Sequence, residues 1–287
     1  CKIFGRTIES PLVIDKENRL YFAKYYDFQQ RFVQNFCKRI TAPLPDMDES
    51  VIEKKLNKIF DHVKNRGQSE RQIQAIKNAL LKNIIIISGG PGTGKTYCTT
   101  IIKSLLKSYA QLKKQAPPRI IFLAPTGKAA SNLEQGATIH SVLKPLKDKP
   151  GFYYNKDNQL QADAVIIDEA SMIDIALMTR LMEAIPIETK IILLGDKNQL
   201  SSVEAGSVFS EICSVKGLSP LFFNLEYNFR SKGKTGIENL SSAIVQNDIK
   251  KLKDILLSQT YTDIWFEQPG PISLLENQIK NMILKGY

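Results

Sequence analysis

The chain has 287 residues, of which 43% are hydrophobic and 24% charged, a composition typical of a globular protein with a substantial core. No apolar run approaches the ~18–20 residues that a membrane-spanning helix needs, so we expect no membrane partner and a cytoplasmic location. The formal net charge of +10 fits a polyanionic partner without requiring one. Four scattered cysteines and two histidines argue against a disulfide framework, a zinc site and a histidine-based triad.

The first part of the chain, residues 1–65, predicts short strands followed by two helices, and it carries no recognisable chemistry. We assign it only core packing or the docking of a partner. From residue 66 onward, predicted strands and helices alternate, which indicates an α/β fold with a parallel sheet and helices on both faces. The central strands are predicted at 84–88, 119–124, 164–168 and 190–195.

Two other stretches have a distinct organisation. Residues 146–162 interrupt the alternation with turn-forming and aromatic residues, which predict a short inserted hairpin. After the last central strand, helical spacing predicts three helices, at 237–245, at 249–257 and from residue 272.

A glycine-rich loop follows the first buried strand, and a segment with helical spacing follows the loop. The stretch meets the pattern G-x-x-x-x-G-K-[ST], in which backbone N–H groups surround a triphosphate. The lysine then reaches the β- and γ-phosphates, and the threonine holds Mg²⁺. An ordinary glycine-rich turn is the alternative, but the strand before and the helix after favour nucleotide binding. The predicted nucleotide-binding residues are Gly89, Gly90, Pro91, Gly92, Thr93, Gly94, Lys95 and Thr96.

Two further strands end in polar residues, and parallel strands place their carboxyl ends at one edge of the sheet. Asp168 can there reach Mg²⁺ held by Thr96, and Glu169 can polarise an attacking water. Gln199 follows the last central strand, where its amide can sense the γ-phosphate. Arg230 could stabilise charge on the same phosphate, although a surface salt bridge is its alternative role.

Two kinds of contact with adenine are predicted. Phe229 or Tyr227 could stack on the base, and Gln72, in the helix before the first strand, could read the base edge with its amide. Taken alone, Gln72 would be an ordinary surface glutamine.

A second strand-to-helix junction offers groups for a nucleic-acid phosphate. Thr126 and Lys128 lie there, and the triphosphate already has its own loop. Thr138 adds a small polar group, and His140 could donate to a phosphate or stack on a base. A satisfied structural histidine is the alternative for His140.

These motifs, in this order, resemble those of superfamily 1 helicases, and most closely the family of exodeoxyribonuclease V alpha subunits, the RecD helicases. The matching stretches are Pro11–Tyr26, Gly89–Thr96, Leu123–Ala130, Thr138–His140, Ile167–Asp174, Leu194–Gly206 and Tyr227–Arg230. The resemblance implies a RecA-like P-loop NTPase fold and an ATP-driven, 5′-to-3′ translocase on single-stranded DNA. It also implies partner helicase–nuclease subunits that process DNA ends in double-strand-break repair and recombination.

The resemblance also assigns roles to the residues. Catalysis falls to Lys95, Glu169, Gln199 and Arg230, with Mg²⁺ held by Thr96 and Asp168. Gln72 reads adenine, and the DNA-contacting stretches contain Thr126, Lys128, Thr138 and His140.

By the same resemblance, residues 1–65 are an N-terminal domain and residues 66–287 a first motor domain. The hairpin at 146–162 is then a candidate strand-separating pin. No motifs of a second motor domain follow Gly236. Since such enzymes bind ATP between two motor domains, we expect weak nucleotide binding and little DNA-stimulated turnover from this polypeptide alone.

Two other function classes compete with a helicase motor. One is a subunit that uses nucleotide as a switch or a structural element and does not translocate. The other is a ring-forming chaperone-like ATPase or a transporter ATPase, which is disfavoured because its signature motifs are not evident.

Overall fold

The computed structural model describes residues 4–5, 10–44, 46–61, 66–199, 208–229, 235–258, 260–264 and 266. Contacts divide the chain into two compact units, Cys1–Asn228 and Phe229–Tyr287. Within the described ranges, every helix is too short or too polar to cross a lipid bilayer.

The first unit begins with a small three-stranded sheet. Strand β1 (Phe4–Gly5) lies parallel to β2 (Leu12–Ile14), which pairs antiparallel with β3 (Leu20–Phe22). Two helices follow, α1 (Ala23–Thr41) and α2 (Glu49–Phe60). Both bury an apolar stripe at helical spacing, so the predicted strand–turn–strand and helix pair are confirmed.

A six-stranded sheet forms the centre of this unit. Its strands are β4 (Ile84–Gly89), β5 (Ile120–Ala124), β6 (Ala137–Thr138), β7 (Ala164–Ile167), β8 (Lys190–Gly195) and β9 (Phe222–Leu225). All neighbouring pairs are parallel, in the order β6-β5-β7-β8-β4-β9. Every residue of β4, β7 and β8 is buried, which requires cover on both faces of the sheet. The predicted α/β class is confirmed.

The helices of the first unit pack around this sheet, with α1 against α7 and α3 against both α2 and α4. Those not yet given are α3 (Arg66–Leu81), α4 (Lys95–Leu112), α5 (Gly127–Ser131), α6 (Ile139–Leu143), α7 (Ile175–Ala184) and α8 (Val208–Ser214). Buried residues of α1, α2 and the sheet belong to one hydrophobic core. Residues 1–65 therefore share a unit with the glycine-rich loop, and the division of the chain does not fall at residue 65.

The stretch predicted as an inserted hairpin forms a compact loop without regular strands. Its single bridge joins Pro145 and Phe152, so the turn begins one residue before the predicted 146–162 segment. Below the bridge, the Tyr153 N–H donates to the Lys144 carbonyl at 2.8 Å, and the Tyr154 N–H donates to the Leu143 carbonyl at 3.1 Å. The segment is too rich in proline, glycine and lysine for a longer ladder.

The second unit contains two helices that pack on each other, α9 (Thr235–Val245) and α10 (Ile249–Leu257). The start of α9 is held by Asp263, whose carboxylate accepts the N–H groups of Gly236 at 3.2 Å and Ile237 at 3.0 Å. Both helices were predicted from their spacing. The helix predicted from residue 272 lies outside the described residues.

Helix ends and strand starts meet at the edge of the sheet opposite to the glycine-rich loop, where three buried side chains satisfy backbone carbonyls. The guanidinium of Arg39 has no exposed surface and makes no ion pair with a carboxylate among the described residues. Burial lowers its pKa to about 10, so it stays charged at neutral pH. It instead donates to carbonyl groups around the end of α7, those of Met182, Ile185, Pro186, Ile187 and Thr189.

Lys190 and Asn83 do the same for two other helices. The ammonium of Lys190 donates to the carbonyls of Leu80, at 2.9 Å, and Lys82 at the end of α3. The Asn83 amide donates to carbonyls at and just after the end of α1, those of Arg39, Ala42 and Pro43. A cation such as Lys190 is favoured at the end of α3, because the last carbonyl groups of a helix carry partial negative charge. The contacts of Lys190 and Asn83 join the ends of α3 and α1 to the starts of β8 and β4.

Replacing Arg39 tests this arrangement. We expect Arg39→Met to lower the free energy of unfolding by more than about 3 kcal/mol, because several buried carbonyls lose their donor. Lys38→Met, which removes an exposed cation from the same turn, should change it by less than about 0.5 kcal/mol. Urea unfolding followed by circular dichroism measures both. A loss of under about 1 kcal/mol for Arg39→Met would show that water replaces the guanidinium at little cost.

The pH dependence of stability reports on Lys190. Burial lowers the pKa of its ammonium from 10.5 to about 7. Between these values the unfolded chain binds more protons than the folded chain, so stability from this group rises with pH. We expect the stability difference between wild type and Lys190→Met to increase from pH 7 to pH 9, with a slope of up to about 1.4 kcal/mol per pH unit. Urea unfolding at several pH values measures this slope, and a difference that is constant with pH contradicts the burial of the cation.

Candidate functional site

The glycine-rich loop has the backbone that its sequence predicts. Gly92 and Gly94 adopt φ values of 81° and 87°, in the left-handed region that glycine tolerates without strain. Gly94 directly precedes α4, so the helix begins at the loop. Lys95 folds back over the loop, where its ammonium donates to the carbonyl oxygens of Gly89 and of Gly90, the latter at 3.2 Å. The ammonium thus lies over the concave loop, where it could meet a phosphate.

Gly89 permits a close approach that any side chain would prevent. A Cβ atom there would lie 2.5 Å from the Thr93 hydroxyl and 2.9 Å from the carbonyl oxygen of Leu225. The Thr93 hydroxyl donates to the Gly90 carbonyl at 2.8 Å, which closes the loop on itself. Gln72 also stabilises the loop, because its side-chain amide donates to the Thr93 carbonyl at 2.9 Å. With the Gln72 side chain so engaged and only 4% of the residue exposed, its reading of adenine stays a prediction.

Three carboxylates gather near this loop. Glu169 adopts a φ of 52°, rare for a residue with a side chain, and donates its N–H to the Asp168 carboxylate at 2.9 Å. Asp196 is buried, and its Oδ2 atom would be 3.8 Å from a Cβ on Gly90. Burial, together with the negative charges of Asp168 and Asp196, raises the pKa of Glu169, while Lys95 opposes the shift.

This arrangement suits the chemistry of a triphosphate. The loop amides and Lys95 can hold phosphate oxygens, Asp168 can coordinate a divalent cation, and the raised pKa of Glu169 suits a general base. Thr96 is exposed at the first turn of α4, as a cation ligand beside the phosphates must be. Sequence reasoning missed Asp196, although its place directly after the buried strand β8 was a usable signal.

The residues predicted for nucleic-acid contact lie together at the same edge of the sheet, on its far flank. The register pairs Ala124 of β5 with Thr138 of β6, so the two junctions are neighbours. The hydroxyl of Thr126 accepts the Ala129 N–H at 3.2 Å, and that of Thr138 accepts the Ser141 N–H at 3.1 Å. Both threonines are therefore N-caps whose hydroxyl hydrogens remain available to an anion. Exposed cationic or polar groups stand beside them, on Lys128 and His140.

His140 is positioned by an aromatic and cationic stack. Its ring centroid lies 5.7 Å from that of Phe152, in an edge-to-face arrangement. The guanidinium of Arg180 in α7 lies 5.5 Å from the Phe152 centroid and 5.5 Å from that of Phe28 in α1. The imidazole is thus supported by the inserted loop and not buried in the core.

Three further residues were predicted for the nucleotide site. Gln199 is exposed at the end of the described stretch, and its N–H donates to the Asp196 carbonyl at 3.2 Å. Phe229 is the first residue of the second unit, and Arg230 lies outside the described residues. Their roles stay predictions.

Comparisons with known proteins agree with these motifs. An AAA domain family model matches residues 72–205. The RecBCD enzyme subunit RecD of Mycolicibacterium smegmatis is 36% identical over 52% of this chain and 30% of its own length. That of Haemophilus influenzae is 35% identical over 67% of this chain and 33% of its own. That of Buchnera aphidicola subsp. Acyrthosiphon pisum is 27% identical over 96% of this chain and 52% of its own.

The chain thus spans between 30% and 52% of the length of these three curated relatives. A solved structure of the Bacteroides Pif1 helicase with ADP-AlF3 and single-stranded DNA is 19% identical, with a TM-score of 0.37, over 81% of this chain and 57% of that one. The sequence relatives, together with the motif order, show that this chain is related to the RecD subunits of RecBCD enzymes over the part that they share.

Proposed function

We propose that this chain is the N-terminal part and first motor domain of an ATP-dependent DNA helicase subunit. The observation that carries the proposal is the placement of Lys95, Asp168, Glu169 and Asp196 around one phosphate-binding loop. A loop of this kind binds a triphosphate, and the adjacent carboxylates supply what hydrolysis needs.

In the proposed reaction, ATP binds with its phosphates on the loop from Gly89 to Thr96. Mg²⁺, held by Thr96 and Asp168, would neutralise charge on the phosphate oxygens. Glu169 orients and deprotonates the attacking water, and its raised pKa makes it a better proton acceptor than an ordinary carboxylate. Gln199 and Arg230 report the state of the γ-phosphate, and Gln72 and Phe229 hold adenine.

The proposed binding site for DNA lies at the same edge of the sheet, at the ends of β5 and β6. Thr126, Lys128, Thr138 and His140 contact phosphates and bases of a single strand. Because β5 and β7 are neighbours in the sheet, a movement of Asp168 and Glu169 after β7 can displace Thr126 after β5.

The remaining parts of the proposal come from the relatives named RecBCD enzyme subunit RecD. We infer 5′-to-3′ movement on single-stranded DNA and a role in processing DNA ends for recombination and repair. Partner helicase–nuclease subunits dock on residues 1–65, and the loop at 146–162 acts on the strands being separated. The 66–287 segment then supplies half of an ATP site, and a second motor domain supplies the other half.

Substitutions in the full-length subunit, assembled with its partners, test this function. We expect Lys95→Ala to abolish ATP binding and Glu169→Gln to retain binding but lower DNA-stimulated hydrolysis by at least about 100-fold. Lys107→Ala, which removes an exposed lysine from the same helix, is the control and should leave both unchanged. ATP binding, phosphate release and strand separation are measured on the same preparations.

The outcome separates a motor from a nucleotide-dependent switch. If Glu169→Gln abolishes hydrolysis yet unwinding that depends on this subunit continues at the wild-type rate, the subunit is a switch and the motor proposal fails.

A further inference from the structure

A groove of about 680 Å³ lies along the flank of β5, beside the inserted loop. It opens there because β6 pairs with only the last two residues of β5, Leu123 and Ala124. Its lining includes Arg119, Ile121, Lys144, Tyr153 and Tyr154. A volume of this size accommodates a nucleotide.

Lys144 is held in an unfavourable backbone conformation at the rim of this groove. Its φ and ψ are 57° and 90°, although it has a side chain. Two hydrogen bonds fix it there: its N–H donates to the His140 carbonyl at 3.0 Å, and its carbonyl accepts the Tyr153 N–H at 2.8 Å. Such conformations persist only where the surrounding contacts hold them, and they often occur at binding sites.

The conformation places a cation beside two aromatic rings. The Lys144 ammonium lies 5.8 Å from the Tyr153 centroid and 5.4 Å from the Tyr154 centroid. The rings themselves are 5.1 Å apart and nearly perpendicular, at 86°. Tyr153 is 53% exposed, so a planar group can reach it from the groove.

The charge of the groove favours an anion. Neither Lys144 nor Arg119 makes an ion pair with a carboxylate in the part of the chain that the structure describes. The Arg119 guanidinium is oriented by Gln161, to whose backbone carbonyl it donates at 3.2 Å and to whose side-chain oxygen at 3.0 Å. The exposed ring of Tyr153, in a groove that Lys144 and Arg119 also line, suits a ligand with alternating aromatic and anionic groups.

We propose that this groove binds one or two nucleotides of a single nucleic-acid strand, with a base on Tyr153 and phosphates near Lys144 and Arg119. The site is distinct from the edge that carries Thr126 and Lys128, since Arg119 precedes β5 whereas Thr126 follows it. The proposal rests on the proposed function only in taking DNA as the strand. The groove gives the nucleic acid a second contact, beside the inserted loop and away from the ATP site.

Binding of a fluorescein-labelled fifteen-nucleotide oligothymidylate to the 287-residue chain, measured by anisotropy without nucleotide, tests the proposal. We expect Tyr153→Ala to raise Kd at least about fivefold and Tyr153→Phe to leave it within about twofold, because the ring and not the hydroxyl stacks. Lys144→Gln should lower the slope of log Kd against log salt by about 0.7, the loss of one phosphate contact. Lys156→Gln is the matched control: it removes an exposed lysine of the same loop that does not line the groove, and the slope should not change. Thermal melting confirms that each variant is folded.

Photo-crosslinking with 5-iododeoxyuridine in the same oligonucleotide locates the contact. Crosslinks to the peptide that contains Tyr153 and Tyr154 support the proposal. Crosslinks confined to peptides with Lys128 or His140, with unchanged affinity of Tyr153→Ala, overturn the groove but leave the proposed helicase function standing. Equal displacement of the oligonucleotide by polyglutamate of the same charge also overturns it, since the groove would then recognise charge alone, as an acidic peptide site does. Failure of the chain to bind any oligonucleotide overturns the groove proposal and removes the support for the proposed binding site for DNA.

Discussion

Strands β4, β7 and β8 run parallel and are buried along their whole length, so the sheet has two chemically different edges. At the edge where these strands begin, helices end, and their last carbonyl groups must find donors away from water. Arg39, Asn83 and Lys190 supply those donors from the interior. At the opposite edge the chain continues into polar loops and new helices begin there, and the buried amide of Gln72 donates to the Thr93 carbonyl of the glycine-rich loop.

That division explains why the candidate chemistry lies where it does. At the carboxyl ends of the strands, backbone N–H groups of helix starts point outward and attract anions, while the carboxylates of Asp168, Glu169 and Asp196 stand beside them. The positive charge of Lys95 opposes these negative charges, and its ammonium is held nearby because it donates to the carbonyl groups of the loop. Burial first, and then the neighbouring charges of Asp168 and Asp196, raise the pKa of Glu169, so the shift is a property of the assembled edge and not of any one loop.

Local patterns in the sequence sufficed for the features that depend on neighbouring residues. The strand–loop–helix around Lys95 is an example, because glycine spacing acts over a few positions. Features that depend on distant contacts were not predictable. Arg39 meets carbonyls about 150 residues away, and nothing in its local sequence marks it as buried. For the same reason the contact of the Gln72 amide with the Thr93 carbonyl was not predicted, and the role of Gln72 in reading adenine stays a prediction.

The Asn83 amide links the end of α1 to the residue immediately before β4. Because that contact is buried, α1 cannot fray without leaving polar groups unpaired at the start of the strand that leads into the glycine-rich loop. The N-terminal helix and the central sheet then form one cooperative unit in the sense of native-state hydrogen exchange, with amide protons of α1 and β4 exposed by the same opening. The Asn83 amide thus provides one direct contact between the N-terminal part of the molecule and the strand that leads into the glycine-rich loop.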